Sequence, residues 1–292
     1  MNRLIKTIMG GVGALSLSAV ASGAVAQAID AGDYIPAPSG VQLGIVYAQF
    51  SHAGSLYSNG DRVDGDAELD SAISIFRYVA YTKLAGMTFD YQVIQPYGHV
   101  EAGGSVDALG SATGFADTIF VATLWPIENH ETGTYLGISP YIYAPTGEYD
   151  ADKAINLGEN RWRGVLQAVL SQKLSKKWVG EIAGDVTLYG DNDDNAAGRL
   201  EQDPTWRVQA FARYLIDGAN EANLRLMYVR SGETQVAGID RNDDGGTWSA
   251  MATWRHDIRP TLQLMTQVGT DLDIDNGFKE DARLQFRLVN VF

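Results

Sequence analysis

Twelve segments of about ten residues, rich in tyrosine, valine, isoleucine, threonine and tryptophan, follow one another between residue 41 and the C-terminus. Apolar and polar side chains alternate in them, most clearly late in the chain and ambiguously in the second and fourth segments. An alternation with a period of two is typical of a β-strand whose two faces meet different surroundings. Beyond residue 28, no apolar run reaches the roughly 18 to 20 residues that a membrane-spanning helix needs. The chain is therefore predicted to be all-β, and any insertion into a membrane has to be as a closed barrel.

The connections between the segments alternate in length. The predicted strands cover residues 41–51, 70–82, 87–100, 115–125, 132–144, 162–173, 178–189, 205–216, 223–231, 247–256, 261–272 and 281–292. Long connections at 52–69, 101–114, 145–161, 190–204 and 232–246, with a shorter one at 273–280, alternate with turns of a few residues. Short turns on one rim and long loops on the other are typical of outer-membrane barrels. We therefore predict a transmembrane antiparallel β-barrel of twelve strands over residues 41–292, preceded by a short periplasmic segment at 29–40.

The first 28 residues have the pattern of a secretory signal peptide. Arg3 and Lys6 precede a small and apolar run over residues 7–25, and Ala26-Gln27-Ala28 supplies a small-x-small cleavage site. Cleavage after Ala28 and export to the outer membrane of a Gram-negative cell are predicted. With the long loops extracellular, both termini would lie on the periplasmic side.

Charge is distributed unevenly between the two predicted rims. The chain has 36 acidic and 22 basic residues, and removal of Arg3 and Lys6 changes its formal net charge from −14 to −16. The six longer loops hold 22 acidic and 6 basic residues, so they account for this whole excess. Such a chain is a poor partner for nucleic acid, and its acidic rim argues against a porin specific for anions. The absence of cysteine excludes disulfides and thiolate chemistry.

Aromatic residues support a membrane location. Trp162, Trp206 and Trp248 lie at the long-loop ends of predicted strands, and Trp125, Trp178 and Trp254 lie towards short turns, which predicts an aromatic girdle at each interface. The last strand alternates and ends on Phe292, a pattern that resembles the signal read by barrel-assembly machinery. We expect that machinery, membrane lipid and lipopolysaccharide to be partners of the protein.

Charged residues on the inward parity of the strands are candidates for the lumen. They are Asp90, Glu181, Asp185, Arg207, Arg213, Arg225, Arg255, Arg283 and Arg287. They could form a structural network of ion pairs or line a narrow water-filled path and set its selectivity. We expect the arginines to be largely paired with Glu181, Asp185 and neighbouring carboxylates.

The segment that follows Pro140-Tyr141 resembles a known family. Its residues Pro145-Thr146-Gly147-Glu148-Tyr149-Asp150 and Asn156-Leu157-Gly158-Glu159-Asn160-Arg161-Trp162 look like motifs of the outer-membrane family named for the MetA pathway of phenol degradation. The resemblance implies a transporter-like barrel found beside aromatic catabolism, without catalytic residues. The loop could fold inward to constrict the pore or hold a ligand, or it could serve loop architecture alone.

Two further patterns are weak candidates for a metal site and for catalysis. Asp240, Asn242 and Asp244 with Gly245 match the opening of a calcium loop, but Met251 stands where that loop needs its final Glu. A lipid-acting barrel enzyme would need a serine motif beside a histidine such as His52 or His99, and neither has one.

The sequence is thus best interpreted as a non-enzymatic barrel, without a cofactor, for passive uptake of small hydrophobic or aromatic compounds. Tyr135, Tyr141 and Tyr143 share one parity of the fifth strand and could contact such a ligand, or belong to a girdle. The alternatives are a structural or adhesive barrel that acts through its acidic loops, and a lipid-acting barrel enzyme.

Overall fold

A computed structural model describes residues 29–292 of the protein. Twelve long strands dominate it: β1 Gln42–Ser58, β2 Ala67–Leu84, β3 Met87–Gly104, β4 Thr118–Asn129, β5 Thr134–Ala144, β6 Arg163–Lys173, β7 Trp178–Tyr189, β8 Thr205–Leu215, β9 Asn220–Ser231, β10 Gly245–Arg259, β11 Leu262–Ile274 and β12 Gly277–Val291. Within residues 29–292, no helix is long and apolar enough to cross a membrane.

The strands form one closed antiparallel barrel. Each strand pairs with the next along the chain, and β12 pairs with β1 from Leu43 opposite Val291 to Tyr57 opposite Gly277. The Phe292 amide donates a hydrogen bond of 2.9 Å to the Gln42 carbonyl oxygen, so the barrel begins and ends at the same rim. Closure leaves the sheet without an exposed edge, and it confirms the predicted twelve-stranded fold.

The two rims differ in the length of their connections. On one, here called the short-turn rim, the β2–β3 turn consists of Ala85 and Gly86 alone, with φ angles of 52° and 85°. These two left-handed residues fit the two-residue hairpin turns whose twist matches that of the strands. The opposite, long-loop rim carries residues 105–117, 145–162, 190–204 and 232–244, together with a small three-stranded sheet of Leu200–Gln202, Thr234–Val236 and Ile239–Asp240.

Two predicted loops are shorter in the structure, because the strands continue into them. Strand β1 runs to Ser58 and β2 starts at Ala67, while β11 and β12 are separated by residues 275–276 alone. Towards this rim the strands carry more polar and charged residues, so the alternation fades while the ladder of backbone hydrogen bonds continues.

The outer face of every strand carries exposed apolar side chains. One example from each strand, in chain order, is Val46, Phe76, Val93, Phe120, Ile142, Leu166, Ile182, Val208, Leu226, Trp254, Val268 and Phe286. Water-soluble proteins rarely expose so large a continuous apolar surface. A continuous belt of this kind fits the hydrocarbon core of a membrane.

The inner face has two chemically different halves. The apolar wall lies mainly on β1–β6 and includes Ile45, Tyr47, Ile73, Ile75, Val79, Tyr81, Ile94, Val100, Ile119, Val121, Trp125 and Val165. The polar wall lies on β7–β12 and includes Glu181, Asp185, Arg207, Gln209, Arg213, Glu221, Asn223, Arg225, Thr253, Gln267, Gln285 and Arg287. On β2 and β4 many residues of both faces are apolar, which explains why alternation is weak in their sequences.

Trp125 corrects the predicted girdle. The other five tryptophans are exposed on the outer face, but Trp125 is buried inside the barrel. Its indole N–H donates a hydrogen bond of 3.0 Å to the Tyr34 carbonyl oxygen, and its ring lies 5.8 Å from that of Tyr81 between centroids. It shares the inward parity of Val121 and Thr123, so its place near a turn did not decide which way it faces.

Candidate functional site

Residues 29–34 enter the barrel and lie across its lumen; they are called the plug here. Ile29, Asp30, Ala31 and Tyr34 are buried, and Ile29, Ala31 and Tyr34 form an apolar cluster with Val169, Ala183 and Phe211. The sequence pattern predicted that residues 29–40 form a periplasmic segment outside the barrel. The structure differs because this segment carries the charges and hydrogen-bonding groups that the lumen leaves unmatched.

Two carboxylates anchor the plug to one side of the lumen, where β11, β12, β1 and β2 are neighbours. Asp33 lies 2.8 Å from Arg287 of β12 and 3.0 Å from Arg77 of β2. Asp30 lies 3.2 Å from Arg287 and accepts a hydrogen bond of 2.8 Å from Gln267 of β11. Since these groups are buried, loss of one partner would leave an uncompensated charge away from water.

Uncharged groups of the plug also form hydrogen bonds to the barrel. The Tyr34 hydroxyl lies 2.6 Å from the Ser139 hydroxyl and donates to Gln167 at 2.8 Å. The Gly32 amide donates to Glu181 at 3.0 Å. The plug is thus bonded to strands all round the barrel rather than to one side of it.

Gly32 is required at its position by geometry. Its φ angle is +89°, and a Cβ atom there would lie 2.9 Å from a terminal guanidinium nitrogen of Arg213. Both the left-handed conformation and the close contact exclude most side chains.

Arg213 is the centre of a buried network on the polar wall. It lies 2.6 Å from Glu181 and 2.7 Å from Glu221, and Glu221 also lies 3.2 Å from Arg255. Alternating cations and carboxylates of this kind cross-link neighbouring strands. The strand parity had indicated Arg213, Glu181 and Arg255 but missed Glu221.

Most other predicted lumen arginines are also paired. Arg207 binds Asp185 at 2.9 Å, and Arg283 binds Glu280 at 2.7 Å. Arg225 differs, because the structure gives it no ion pair within residues 29–292. The expectation of pairing therefore holds for all of the predicted lumen arginines except one.

Several lumen charges were not predicted. Arg77, Arg163, Asp30 and Asp33 join Glu221 inside the barrel. A signal for them was present, since six predicted lumen arginines faced only three predicted carboxylates. That imbalance indicates that further acidic residues lie in the lumen, and two of them, Asp30 and Asp33, come from the plug.

The predicted aromatic and acidic candidates face inward but are held by neighbours. The Tyr141 hydroxyl donates to Gln167 at 3.0 Å, and the Tyr143 ring lies 3.9 Å beneath the Arg163 guanidinium. Tyr135 lies near the short-turn rim, where its hydroxyl is 3.1 Å from His130. Asp90 accepts a hydrogen bond of 3.0 Å from the Gln92 side chain.

A cavity of about 290 Å³ lies between the plug and the long-loop rim. Its apolar lining includes Ala53, Leu69, Val100, Met227, Val229, Met251, Ile274 and Phe278, and its polar lining includes Ser51, Ser71, Asp185, Thr187, Arg207, Arg225, Ser249 and Arg283. Since apolar and polar side chains both line it, the cavity can hold a molecule with an apolar body and a polar end. Tyr135, Tyr141 and Tyr143 do not belong to this lining.

The loop that carries the family motifs folds against the apolar wall. Ile155 and Leu157 are buried among its side chains, and the backbones of Gly147 and Gly158 lie in contact, so a Cβ on either would lie 2.7 Å from the other. The amide of Gly147 donates to buried Asp117 at 2.9 Å. These contacts explain both motif glycines by the close approach of two chain segments.

Polar motif residues hold the rest of this loop. Asn156 bonds to Asp150 through both its side-chain oxygen and nitrogen, at 2.8 and 3.1 Å. Asn160 has a φ of 53°, and buried Arg161 lies 2.9 Å from Glu159. Pro145 directly follows the end of β5 and precedes these turns. The Tyr149 hydroxyl donates a hydrogen bond to the Asp194 carbonyl oxygen. Trp162 is exposed on the outer face of the barrel.

The calcium candidate residues have separate partners in the structure. Asp240 accepts from Gln235, the Asn242 amide donates to Glu233, and Asp244 pairs with Arg230 at 2.6 Å. Residues 29–292 contain no group of three or more histidine, aspartate or glutamate side chains placed to hold a metal ion.

The histidine candidates lack a serine partner among their hydrogen bonds. His52 bonds to Asp70 at 2.7 Å, while the neighbouring Ser51 hydroxyl bonds to Ser71. His99 bonds to the Thr113 hydroxyl at 2.6 Å.

Comparison with known proteins identifies the family. Residues 54–288 match the family described as "Putative MetA-pathway of phenol degradation". The chain belongs to this family. The resemblance seen in the motifs is thereby confirmed over most of the chain.

Solved structures agree with this assignment. The crystal structure of the COG4313 outer membrane channel from Pseudomonas putida F1 is 36% identical, with a TM-score of 0.88 over 91% of this chain and 100% of that chain. The NanC porin matches with a TM-score of 0.50 at 9% identity, over 85% of this chain and 98% of its own. The β domain of the Bordetella autotransporter BrkA matches with 0.53 at 11% identity, over 87% of this chain and 100% of its own. These last two show the barrel fold alone. The comparison with curated proteins gave no match.

Proposed function

We propose that the protein is an outer-membrane channel for passive uptake of small hydrophobic or aromatic compounds. The observation that carries the proposal is the apolar wall inside the barrel, which continues into the lining of the cavity. A pore for hydrophilic solutes has a polar, water-filled interior on all sides. An apolar wall offers a hydrophobic molecule a surface on which it need not be fully hydrated. The similar protein from Pseudomonas putida F1 is an outer membrane channel, which supports the same role.

The plug limits what can pass. Because it bonds to strands around the lumen, passage past it requires either a narrow gap or release of the plug from its partners. A narrow path of this kind would exclude large hydrophilic solutes, and it agrees with uptake of small molecules. No cofactor and no catalytic step are part of this proposal.

Filling the cavity tests the proposal. Ser249 lines the cavity with a buried hydroxyl that lacks a hydrogen-bond partner in the described chain, and Ala252 lies on the outer face of the same strand. Ser249→Phe should slow uptake of labelled toluene by cells expressing the protein, and Ala252→Phe should leave it unchanged. Growth on aromatic compounds with and without the protein provides a second measurement. Equal uptake by cells with and without the wild-type protein would contradict a role in uptake and favour the structural or adhesive alternative.

We also propose that the long acidic loops face the cell exterior and both termini the periplasm, after cleavage of the signal peptide at Ala28. The chain has no cysteine, so labelling of a single introduced cysteine shows on which side of the membrane that residue lies. Ala196→Cys lies on a long loop and Lys176→Cys on a short turn, and both positions are exposed. A membrane-impermeant maleimide added to intact cells should label the first and not the second. The reverse pattern would show the opposite orientation.

A further inference from the structure

Arg225 stands apart from the other charged side chains of the lumen. It points inward from β9 and is 6% exposed. One of its terminal nitrogens lies 3.5 Å from the Ile29 carbonyl oxygen, at the outer limit of a hydrogen bond, and its Nε has no hydrogen-bond partner in the described chain. A buried guanidinium without a carboxylate carries a large desolvation cost. Such a cost is retained only where something else offsets it.

The position of Arg225 indicates what could offset it. Its contact with Ile29 places it at the plug side of the cavity, whose lining it joins. Met227 and Met251 line the same cavity, and methionine side chains adapt to apolar molecules of different shape. A cation therefore stands at the inner end of a space that is otherwise largely suited to an apolar body.

The other charges in the cavity limit the net charge of a ligand. Asp185, Asp243, Asp271 and Glu280 belong to the lining, so a dianion such as a phosphate monoester would meet several carboxylates. Arg207 and Arg283 are already paired with two of these acids. This arrangement favours a single negative charge placed directly on Arg225.

We propose that Arg225 binds the carboxylate of a small apolar monoacid, with one aromatic ring or a short alkyl chain, held in this cavity. A guanidinium presents parallel N–H donors that match the two oxygens of a carboxylate. The cavity volume of about 290 Å³ lies at the lower end of the range of ligand pockets, which restricts the apolar body to a small one. The acidic long-loop rim slows the approach of an anion at low salt, but this effect is screened at physiological ionic strength. The inference rests on the proposed function, since it assigns a ligand class to the same lumen.

Equilibrium binding tests the inference directly. The full mature protein in detergent is titrated with 4-(trifluoromethyl)benzoate and with its uncharged analogue 4-(trifluoromethyl)benzamide, and dissociation constants are measured by fluorine NMR. The wild-type protein should bind the benzoate at least about tenfold more tightly than the benzamide, because a hydrogen bond to a charged group is involved. Arg225→Met should remove this preference, and Arg225→Lys should retain part of it. Arg230→Met, which breaks an exposed ion pair with Asp244 at the rim, is the matched control and should change neither constant.

The outcomes separate this inference from the proposed function. Arg225→Met removes a charge that has no ion-pair partner in the described chain, so we expect the variant to fold, and the shifted mobility of folded barrels in unheated gel samples checks this. Equal binding of the two compounds by the wild-type protein, or an unchanged preference in Arg225→Met, would overturn the inference. Benzoate binding without uptake of any aromatic compound would support the Arg225 site and refute the transport role. Uptake of aromatic compounds without a preference for benzoate would support the transport role and refute the Arg225 site.

Discussion

Replacement of Asp33 by Asn should loosen the plug. The substitution keeps the shape of the side chain but removes the charge that lies 2.8 Å from Arg287 and 3.0 Å from Arg77. Breaking a buried ion pair by removing one partner costs about 3 to 5 kcal/mol. Here Arg287 retains Asp30 at 3.2 Å and Arg77 retains its hydrogen bond to Gln92 at 2.8 Å, so we expect about 3 kcal/mol, the lower end of that range.

The substitution destabilises the plugged state of the protein and leaves the barrel itself unchanged. If the plug can leave the lumen, a change of about 3 kcal/mol raises the ratio of unplugged to plugged molecules by more than about 100-fold. Single-channel recording in planar bilayers should show more frequent large openings for Asp33→Asn than for the wild-type protein. Asp70→Asn, at an exposed position on the same β2 strand as Arg77, is the matched control and should behave as wild type. If Asp33→Asn shows wild-type openings and wild-type thermal stability, the ion pairs of Asp33 do not hold the plug.

Three further substitutions test other parts of the structure. Val208→Arg on the outer face should destabilise the barrel by about 2 to 4 kcal/mol in denaturant titrations in lipid, because the charge would face hydrocarbon, and a stability equal to wild type would refute the assigned face. Gly32→Val should displace the plug and increase conductance, because valine disfavours the φ of +89° at this position and its Cβ would lie 2.9 Å from Arg213. Unchanged conductance would show that the plug tolerates both the backbone conformation and the close contact. Deletion of Phe292 should impair assembly into the outer membrane while export continues, as measured by cell fractionation, and normal assembly would exclude its role as a recognition signal.

The architecture was largely predictable because a membrane barrel imposes its periodicity on the sequence. Strand β8 shows this, since Trp206 and Val208 face outward and Arg207 and Gln209 face inward, as their alternation predicts. Prediction was weakest on β2 and β4, where many inward and many outward residues are apolar. A sequence alternates only where the two faces of a strand meet different surroundings. On those strands the lipid outside and the apolar side chains inside both select apolar residues, so the alternation is weak.

The candidate site was predicted in part for the same reason. The parity of a strand identifies inward charges such as Arg213 and Glu181, and their pairing follows from proximity on adjacent strands. The plug could not be found in this way, because residues 29–34 have no period and their partners lie as far along the chain as Arg287. The excess of arginine over acid in the predicted lumen was the available signal.

By itself, the sequence determined the strand number, the antiparallel order, the two unequal rims and the family of the protein. These properties depend on local alternation, on turn residues and on motifs, all of which are short-range. Only the tertiary structure decided that Trp125 faces inward and that most apolar side chains of the lumen lie on β1–β6. It also decided that Asp33 joins Arg77 to Arg287, and that Arg225 is left without a carboxylate in the described chain. Each of these depends on which side chains meet across the closed barrel, and closure joins residues whose separation along the chain carries no information about their contact.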